Sequence, residues 1–314
     1  MDGDDLSRHR IALVVNPASG VGRAGGLADT VRQRLGTRAE VTSFAGTSAV
    51  ECLQLLRSVA SGYDAVAVLG GDGAVHLALQ ALAGGDTPLG IIPGGTGNDI
   101  ADTVGLPADP REAADAMLDA LDASSVHQVD LGRTDGGTWW ATILCAGFDS
   151  AVNERANRMR WPRGPRRYDV AIIAEMLRLR ARPFTVTFDG ERQDVLATLI
   201  AVGNAPQYGG GKLMTPDGRM HSGNFAVTVV GPVSRRTLAR MAPKLPRAGH
   251  IGHPAVATYE ACTVSIEAAD TVAYADGERL GPLPITTTCV PAAIGVLVPP
   301  GVVGRGLAPH RSTP

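Results

Sequence analysis

Two glycine-rich turns, 70–73 and 94–99, each follow a short apolar run in this chain. The runs 64–69 and 88–92 are rich in aliphatic residues and lead into glycine or proline, as buried strands do. The segment between them, 74–84, has helical composition. A strand, a turn, a helix and a second strand in this order predict a parallel sheet with both turns at its carboxyl edge.

The residue types in these turns indicate phosphate binding. Glycine lacks a Cβ and permits positive φ, so several N–H groups can converge on an anion at a helix start. Asp72 would repel phosphate unless Mg²⁺ lies between them, or unless its carboxylate orients water around the metal. Gly-Gly-Asp-Gly alone is also ordinary turn chemistry. The second turn favours a functional interpretation, because helix capping explains Asn98 or Asp99 but not three glycines around Thr96.

A third turn, from Asn16 to Arg23, follows the predicted first strand, 11–15. It contains neither the G-x-G-x-x-G fingerprint of dinucleotide-binding folds nor the G-x-x-x-x-G-K-[ST] pattern of P-loops. The chain has no lysine before Lys212. A cation that contacts phosphate in this half therefore has to be an arginine, and Arg23 is the nearest candidate.

Length and charge restrict the class of protein. A chain of 314 residues with 44% hydrophobic residues can form two domains, and its net charge of −2 argues against nucleic acid as a partner. The four cysteines lack C-x-x-C spacing and are interpreted as reduced core thiols. The acidic N-terminus does not resemble a signal peptide, and no segment approaches the ~20 apolar residues that cross a bilayer. The expected location is the cytoplasm.

The pattern along the chain predicts two domains. Strand and helix signals alternate from residue 10 to 92, whereas β character separated by turns dominates after about residue 129. We expect an α/β nucleotide-binding domain with a parallel sheet over 8–134, and a mainly antiparallel β-sandwich over 135–303. The runs 286–290 and 294–298 are interpreted as separate strands, and the last strand is expected to return toward the first domain. Residues 304–314 are expected to form a disordered tail.

Seven motifs occur in a fixed order between about residue 10 and residue 300. They are Asn16-Pro17-x-Ser19-Gly20, Gly70 to Gly73, Gly95 to Asp99, Val129 to Gly132, Ala146 to Asp149, Asn204 to Gly211 and Ala275 to Glu278. This ordered set resembles the diacylglycerol kinase catalytic-domain family, which includes bacterial lipid kinases and is related to sphingosine and ceramide kinases. The resemblance implies ATP as phosphoryl donor, Mg²⁺, a lipid alcohol such as diacylglycerol as acceptor, and a sandwich domain that binds the lipid.

The resemblance also implies roles for individual residues. Asp276 matches the family's catalytic aspartate, which accepts the hydroxyl proton, and Asp72 and Glu278 accompany it as catalytic residues. The residues that would bind nucleotide are Asn16, Ser19, Gly20, Arg23, Gly70, Gly71, Asp72, Gly73, Thr96, Gly97, Asn98 and Arg166. The metal ligands would be Asp72, Asp99 and Asp130.

Several alternatives stay open at this point. Asp276-Gly277 between β runs is by itself the strongest short signal for a hairpin turn. The family usually has threonine where this chain has Ala74, and relatives commonly have a carboxylate where it has Ser222. An NAD kinase shares Gly-Gly-Asp-Gly and a related plan, and a degenerate kinase could act as a nucleotide- or lipid-binding regulator.

An arginine-rich segment, 154–182, contains nine arginines and three acidic residues. A solvated helix surface explains most of these arginines. The functional interpretation is transient contact with a membrane through Arg155, Arg158, Arg160, Trp161 and Arg163, because arginine and tryptophan favour the headgroup region of anionic lipids. We therefore expect a cytoplasmic protein that works peripherally at the inner face of the membrane, and the formation of a homodimer is left open.

Overall fold

The computed structural model describes residues 8–15, 23–159, 161 and 166–307. The chain divides into two compact units, the first formed by 1–129 and 292–305 and the second by 130–291 and 306–314. The predicted disordered tail, 304–314, is wrong for its first four residues, because Gly304 is buried and Gly306 O accepts a hydrogen bond from Met220 N at 2.9 Å. Its remainder, from residue 308 onwards, lies outside the described residues. None of the described helices is both long enough and apolar enough to cross a membrane.

The first unit is a parallel sheet with helices. It contains β1 (Arg10–Val15), α1 (Arg23–Leu35), β2 (Glu40–Ala45), α2 (Ala49–Val59), β3 (Ala65–Gly70), α3 (Asp72–Leu82), β4 (Leu89–Pro93), α4 (Asp99–Val104) and α5 (Pro110–Asp122). The strands pair in parallel in the order β2-β1-β3-β4. β3 and β4 are completely buried, as strands covered on both faces are. The predicted parallel α/β unit is confirmed.

Two helices of the first unit, α2 and α5, begin with a capping side chain. Ser48 Oγ accepts a hydrogen bond from Glu51 N at 3.2 Å, and Glu51 in turn accepts one from Thr47 N at 2.7 Å. Asp109 Oδ1 accepts hydrogen bonds from the first turn of α5. In α3 and α4 the N-cap residues, Gly71 and Asn98, form no side-chain cap. At the start of α3, the N-cap residue therefore contributes only backbone groups.

The second unit consists of two antiparallel sheets and helices. Its described elements are β5 (Val126–Thr134), β6 (Trp139–Trp140), β7 (Ile143–Gly147), α6 (Phe148–Arg158), α7 (Arg166–Leu177), β8 (Arg182–Phe188), β9 (Glu191–Ala197), β10 (Leu199–Gly203), β11 (Phe225–Val230), α8 (Arg235–Met241), β12 (Val256–Ala261), β13 (Thr263–Glu267), β14 (Val272–Ala275), β15 (Glu278–Pro282) and β16 (Ile285–Leu297). One sheet has the order β12-β11-β10-β7-β14-β15, and the other contains β16-β13-β8-β9. Side chains of both sheets, such as Ile200 and Val264, share one core. The predicted antiparallel sandwich is confirmed.

The last strand differs from its prediction. The sequence suggests separate strands at 286–290 and 294–298, but β16 is one strand of 13 residues. Ala292 has a φ of 49° and interrupts the regular geometry without ending the strand. Residues 285–291 of β16 belong to the second unit and 292–297 to the first, where Val296 pairs in parallel with Leu89. The sequence-based limits had assigned all of this strand to the second domain.

The cysteines are reduced, and three of the four are buried. Cys52, Cys145 and Cys289 are core thiols, and burial raises the pKa of each of them. Cys262 differs from the prediction, because it is exposed and its Sγ donates to Asn224 Oδ1 at 2.7 Å.

Gly132 makes room for a buried tryptophan. It lies opposite Trp140 in the β5–β6 pair, and a Cβ at this position would lie within 3 Å of the indole. The indole stacks on Phe225 with 5.1 Å between ring centroids, and its Nε1 donates to Thr287 Oγ1 at 2.9 Å. A rigid ring held in this way cannot move aside.

We expect Gly132→Ala to lower the free energy of unfolding of the second unit by about 1–3 kcal/mol, the usual cost of overpacking. Gly136→Ala is the matched control, because the nearest atom to its Cβ would be Thr134 Oγ1 at 3.7 Å. All tryptophans of the chain lie at 139, 140 and 161, so urea unfolding followed by tryptophan fluorescence reports on this unit. Equal stability of the two variants would contradict the packing argument.

His250 is a buried histidine of the second unit, 1% exposed, with Nε2 3.1 Å from the carbonyl oxygen of Met214. Burial lowers the pKa of His250 from its ordinary 6.5, and the hydrogen bond opposes this change only in part. Below pH 6.5 the unfolded chain takes up a proton at this position that the folded chain resists. The ring therefore stabilises the fold at neutral pH and loses this contribution as the pH falls.

Wild-type protein should lose more stability than His250→Gln when the pH is lowered from 7.5 to 5.5 (roughly the window below the unfolded pKa). The difference in unfolding free energy between the two proteins, measured by urea titration at several pH values, should shrink toward low pH. The exposed His221→Gln serves as control and should follow the wild type. A difference that does not change with pH would contradict the argument.

Candidate functional site

The two glycine-rich turns of the first unit touch each other. β3 and β4 pair in parallel up to Gly70 and Pro93, so the turns that follow lie side by side. Gly94 N donates to Gly70 O at 2.8 Å, and a Cβ on Gly95 would lie within 3 Å of Gly71 Cα. This close approach of two backbones requires glycine.

Asp72 connects the two turns. It is the first residue of α3, and its Oδ1 accepts a hydrogen bond from Ile100 N at 3.3 Å. A Cβ on Gly97 would lie within 3 Å of its Oδ2. Asp72 thus performs the capping of α4 that was expected of Asn98 or Asp99. Asn98, with a φ of 60°, instead bonds Gly95 through both its Oδ1 and its Nδ2.

Asp72 and Asp99 begin the neighbouring helices α3 and α4 of the first unit. Carboxylate oxygens are ligands that Mg²⁺ prefers, and helix starts attract the phosphates that accompany it. The carboxylates of these two residues are therefore chemically suited to bind Mg²⁺ beside a phosphate. Among the described residues, however, no three His, Cys, Asp or Glu side chains form a ready-made metal cluster. Metal binding by Asp72, Asp99 and Asp130 stays a prediction.

Other residues expected to bind nucleotide are spread over the described and undescribed parts of the chain. Asn16, Ser19 and Gly20 lie outside the described residues, and so do Arg160 and Arg163 of the expected membrane patch. Arg23 begins α1, Gly73 lies in the first turn of α3, Thr96 and Gly97 are exposed, and Arg166 is exposed at the start of α7 in the second unit. Contact of all these residues with nucleotide stays a prediction.

Asp276 lies at the tip of the β14–β15 hairpin. Asp276 and Gly277 have φ values of 53° and 80°, as the hairpin interpretation requires, and Glu278 is exposed in the pair with Ala275. The carboxylate is also fixed by donors: Oδ2 accepts from Ala141 N at 2.7 Å, and Oδ1 accepts from Thr142 N at 2.8 Å and from Thr142 Oγ1 at 2.6 Å. Three such donors fix the orientation of the carboxylate.

Asn204 holds the same two residues from their other side. Its Nδ2 donates to Ala141 O at 2.8 Å and to Asp130 O at 2.7 Å, and its N donates to Thr142 O at 2.9 Å. The residue is fully buried. Asn204 therefore connects the strand that carries Asp130 with the segment that orients Asp276.

Asp130 organises a loop of the second unit. It is 4% exposed, its Oδ2 accepts from Gly223 N at 2.7 Å, and its N donates to Met220 O at 2.7 Å. Ser222 Oγ closes the same loop by hydrogen bonds with Arg219 O and Asn224 O. Where relatives have a carboxylate, Ser222 thus bonds to backbone.

Asp149 is partly buried and anchors a glycine-rich loop. Tyr208 donates its hydroxyl to Asp149 Oδ2, and Gly209, Gly210 and Gly211 follow with positive φ. Burial raises the pKa of Asp149, against the Tyr208 hydrogen bond and the charge of Lys212. Burial also raises the pKa of Tyr208 well above its ordinary value. This acid therefore stabilises the loop through its hydrogen bond with Tyr208.

The site contains residues that sequence reasoning missed. Ala141 and Thr142 act mainly through backbone N–H groups, which leave no mark in the sequence. Asn204 belongs to one of the seven motifs, but its role depends on contacts with distant residues. Ala141 precedes it by 63 positions and Asp130 by 74. The motif itself was the signal that could have identified it.

Comparisons with known proteins cover nearly the whole chain. The profile of the diacylglycerol kinase catalytic domain matches residues 10–134, and that of the YegS C-terminal NAD kinase beta sandwich-like domain matches 142–298. A diacylglycerol kinase of Mycobacterium tuberculosis is 43% identical over 310 residues, which cover 95% of this chain and 99% of that protein. One of Staphylococcus haemolyticus is 25% identical over 261 residues, 81% of this chain and 77% of that protein. A crystal structure of a diacylglycerol kinase from Bacillus anthracis superimposes with a TM-score of 0.72 at 20% identity, covering 95% of this chain and all of that one.

Replacement of Asn204 should destabilise the second unit. Asn204→Ala removes the donor to two buried carbonyl groups, and we expect a loss of about 1–3 kcal/mol in the free energy of unfolding, monitored by tryptophan fluorescence. Asn224→Ala, which removes the surface hydrogen bonds with Glu260 and Cys262, is the matched control and should cost less than ~1 kcal/mol. Equal losses of unfolding free energy in both variants would contradict the structural role of the Asn204 hydrogen bonds.

Proposed function

Since the chain belongs to the diacylglycerol kinase family and is a phosphotransferase, we propose that it transfers the γ-phosphoryl group of ATP to the hydroxyl of diacylglycerol or a similar lipid alcohol. The observation that carries this proposal is the carboxylate of Asp276, fixed at a hairpin tip by three hydrogen bonds. The turn residue Asp189 also accepts two backbone hydrogen bonds, but Asp276 accepts a third from the Thr142 hydroxyl and lies in the family motif. A base needs such a defined direction toward the hydroxyl. The name of the 43% identical relative supports diacylglycerol as acceptor.

The first unit is proposed to bind ATP. The contacting turns at Gly71 and Gly95 keep side chains away from the phosphates and direct backbone N–H groups of α3 and α4 toward negative charge. Asn16, Ser19, Gly20, Arg23 and Arg166 are proposed to complete the nucleotide contacts. Mg²⁺, held by Asp72, Asp99 and Asp130, would neutralise charge on the transferred group when bound.

The second unit is proposed to activate the acceptor. The lipid hydroxyl donates its proton to the carboxylate of Asp276, and its oxygen forms a bond to the γ-phosphorus. The bond between the γ-phosphorus and the bridging oxygen breaks, and ADP leaves with that electron pair. Ala141 and Thr142 keep the carboxylate oriented before the transfer, and Glu278 accompanies it on the hairpin. Such positioning lowers the barrier without any motion of the base.

A lipid acceptor places the reaction at a membrane surface. We propose that the enzyme works peripherally at the inner face of the membrane and serves phospholipid metabolism. Arg155, one of the arginines expected to contact lipid, is bonded to Glu175 and only 29% exposed, so it is left out of the proposed contact.

Asp276→Asn should lower the rate of phosphoryl transfer about 10²–10⁴-fold, because it removes the base but keeps the hairpin. Asp189→Asn is the matched control. Asp189-Gly190 forms the hairpin turn between β8 and β9 with φ values of 47° and 96°, and its carboxylate likewise accepts backbone hydrogen bonds. The control should retain activity. A similar loss of transfer rate in both variants would show that Asp276 acts only as a structural residue of the hairpin turn.

The acceptor is identified by supplying labelled ATP with short-chain diacylglycerol, other lipid alcohols or NAD. Labelled phosphatidic acid, lost in Asp276→Asn, is the expected product. Phosphorylated NAD without a lipid product would establish the NAD kinase alternative. The match of residues 142–298 to an NAD kinase beta sandwich-like domain is compatible with that alternative. Binding of ATP without any turnover would establish a degenerate kinase, to which Ala74 would contribute.

A further inference from the structure

Helix α7 exposes a stripe of large aliphatic side chains. Val170, Ile173 and Leu177 are 42%, 63% and 63% exposed, and their spacing of three and four residues places them on one side of the helix. The helix fully buries only Ala171, which packs with Val152 and Ala156 of α6. Trp161, before the helix, is 82% exposed. The stripe is therefore an apolar surface of the second unit that its own core does not use.

A cavity of about 470 Å³ begins where this helix ends. It is lined by α6, by residues 175–182 and by parts of β14 and β15. Its charged lining residues are Arg155, Arg158, Arg178, Arg180, Arg182 and Arg279 with Glu154, Glu175 and Asp270. Six cations against three anions leave the cavity positively charged.

Two of the three acidic residues of the cavity are already engaged. Glu175 bonds Arg155, while Glu154 bonds Arg158, Arg279 and the hydroxyl of Tyr274. Within the part of the chain that the structure describes, Arg178 and Arg180 form no ion pair, and both are exposed. These two guanidinium groups are available to an external anion, and they directly follow the apolar stripe in the chain.

We propose that this surface docks on a membrane of anionic phospholipid, with Arg178 and Arg180 bonding headgroup phosphates and Val170, Ile173 and Leu177 entering the acyl boundary. Guanidinium groups bind phosphate oxygens in a bidentate manner, and adjacent apolar side chains add burial in the lipid. The inference rests on the proposed function, since a lipid kinase has to reach its acceptor in a bilayer.

A second copy of the chain fits this surface less well. A two-fold interface brings the same residues of both copies together, so the arginines around the stripe would face each other. An anionic bilayer presents the opposite charge and an apolar interior behind it. The exposed indole of Trp161 also matches the headgroup region.

The docking surface is separate from Asp276. β14 runs from Val272, which lines the cavity, to Ala275, which precedes Asp276. Four residue steps along a strand span roughly 13 Å. Substitutions of Arg178 and Arg180, which belong to neither β14 nor β15, therefore leave the proposed base and its three donors in place.

The test measures binding of the full chain to vesicles by co-sedimentation, without ATP. Wild-type protein should bind phosphatidylcholine vesicles that contain phosphatidylglycerol and should bind pure phosphatidylcholine weakly. The double variant Arg178→Gln/Arg180→Gln should bind the anionic vesicles about thirtyfold more weakly, and Ile173→Asn/Leu177→Asn about tenfold more weakly. The exposed Arg192→Gln and Val50→Asn are matched controls and should bind as the wild type does.

Other outcomes overturn the proposal. Equal binding of both vesicle types, or unchanged binding by both double variants, excludes this surface. Binding of inorganic phosphate that depends on Arg178 and Arg180, without vesicle binding, assigns the cavity to a soluble anion. A dimer in sedimentation equilibrium that Ile173→Asn/Leu177→Asn dissociates assigns the stripe to a second copy.

A kinase assay separates this result from the proposed function. With short-chain diacylglycerol in solution and no vesicles, the Arg178→Gln/Arg180→Gln variant should turn over as the wild type does. Loss of turnover there, with a fold unchanged by fluorescence, would place the two arginines in catalysis and overturn a docking role. If no protein turns over any lipid, the proposed function fails while the vesicle result still stands.

Discussion

The two-residue segment Ala141–Thr142 determines the geometry of the second unit's site. On one side its N–H groups and the Thr142 hydroxyl bond the carboxylate of Asp276. On the other side its carbonyl groups accept hydrogen bonds from Asn204. The peptide units are thus polarised in a single direction, from the amide of Asn204 to the carboxylate, and bonds in such a chain strengthen one another. The position of Asp276 is therefore determined by backbone rather than by a side-chain rotamer.

The first unit uses backbone in a comparable way. Asp72 accepts a hydrogen bond from Ile100 N and packs against Gly97, so its carboxylate is positioned by the opposite turn. The contact between Gly71 and Gly95 is possible only because neither has a side chain. A chain without lysine in this half can still attract phosphate, since aligned N–H groups at helix starts carry partial positive charge. The glycines are required by packing as much as by ligand access.

Local information was enough to predict much of this arrangement. The strand–turn–helix order predicted the parallel sheet and its two turns, because each signal lies within a few residues. The predicted cap of α4 was wrong because the capping contact is not local. The acceptor, Asp72, is 28 residues away from Ile100 in the chain. β16 was divided into two strands in the prediction, whereas the positive φ at Ala292 is absorbed within one continuous strand. The role of Ala141 could not be predicted from its residue type, because it acts through its backbone N–H group.

Exposure is the other property that a sequence does not reveal. Helix α7 contains enough aliphatic residues to pack against a core, yet only Ala171 is fully buried. Charge behaves similarly: the chain has a net charge of −2, but residues 154–182 carry nine arginines against three acids. At physiological salt, charges more than ~10 Å apart are largely screened. A membrane would therefore respond to the arginines next to it and not to the acidic average of the molecule, so net charge gives no argument against anionic lipid as a partner.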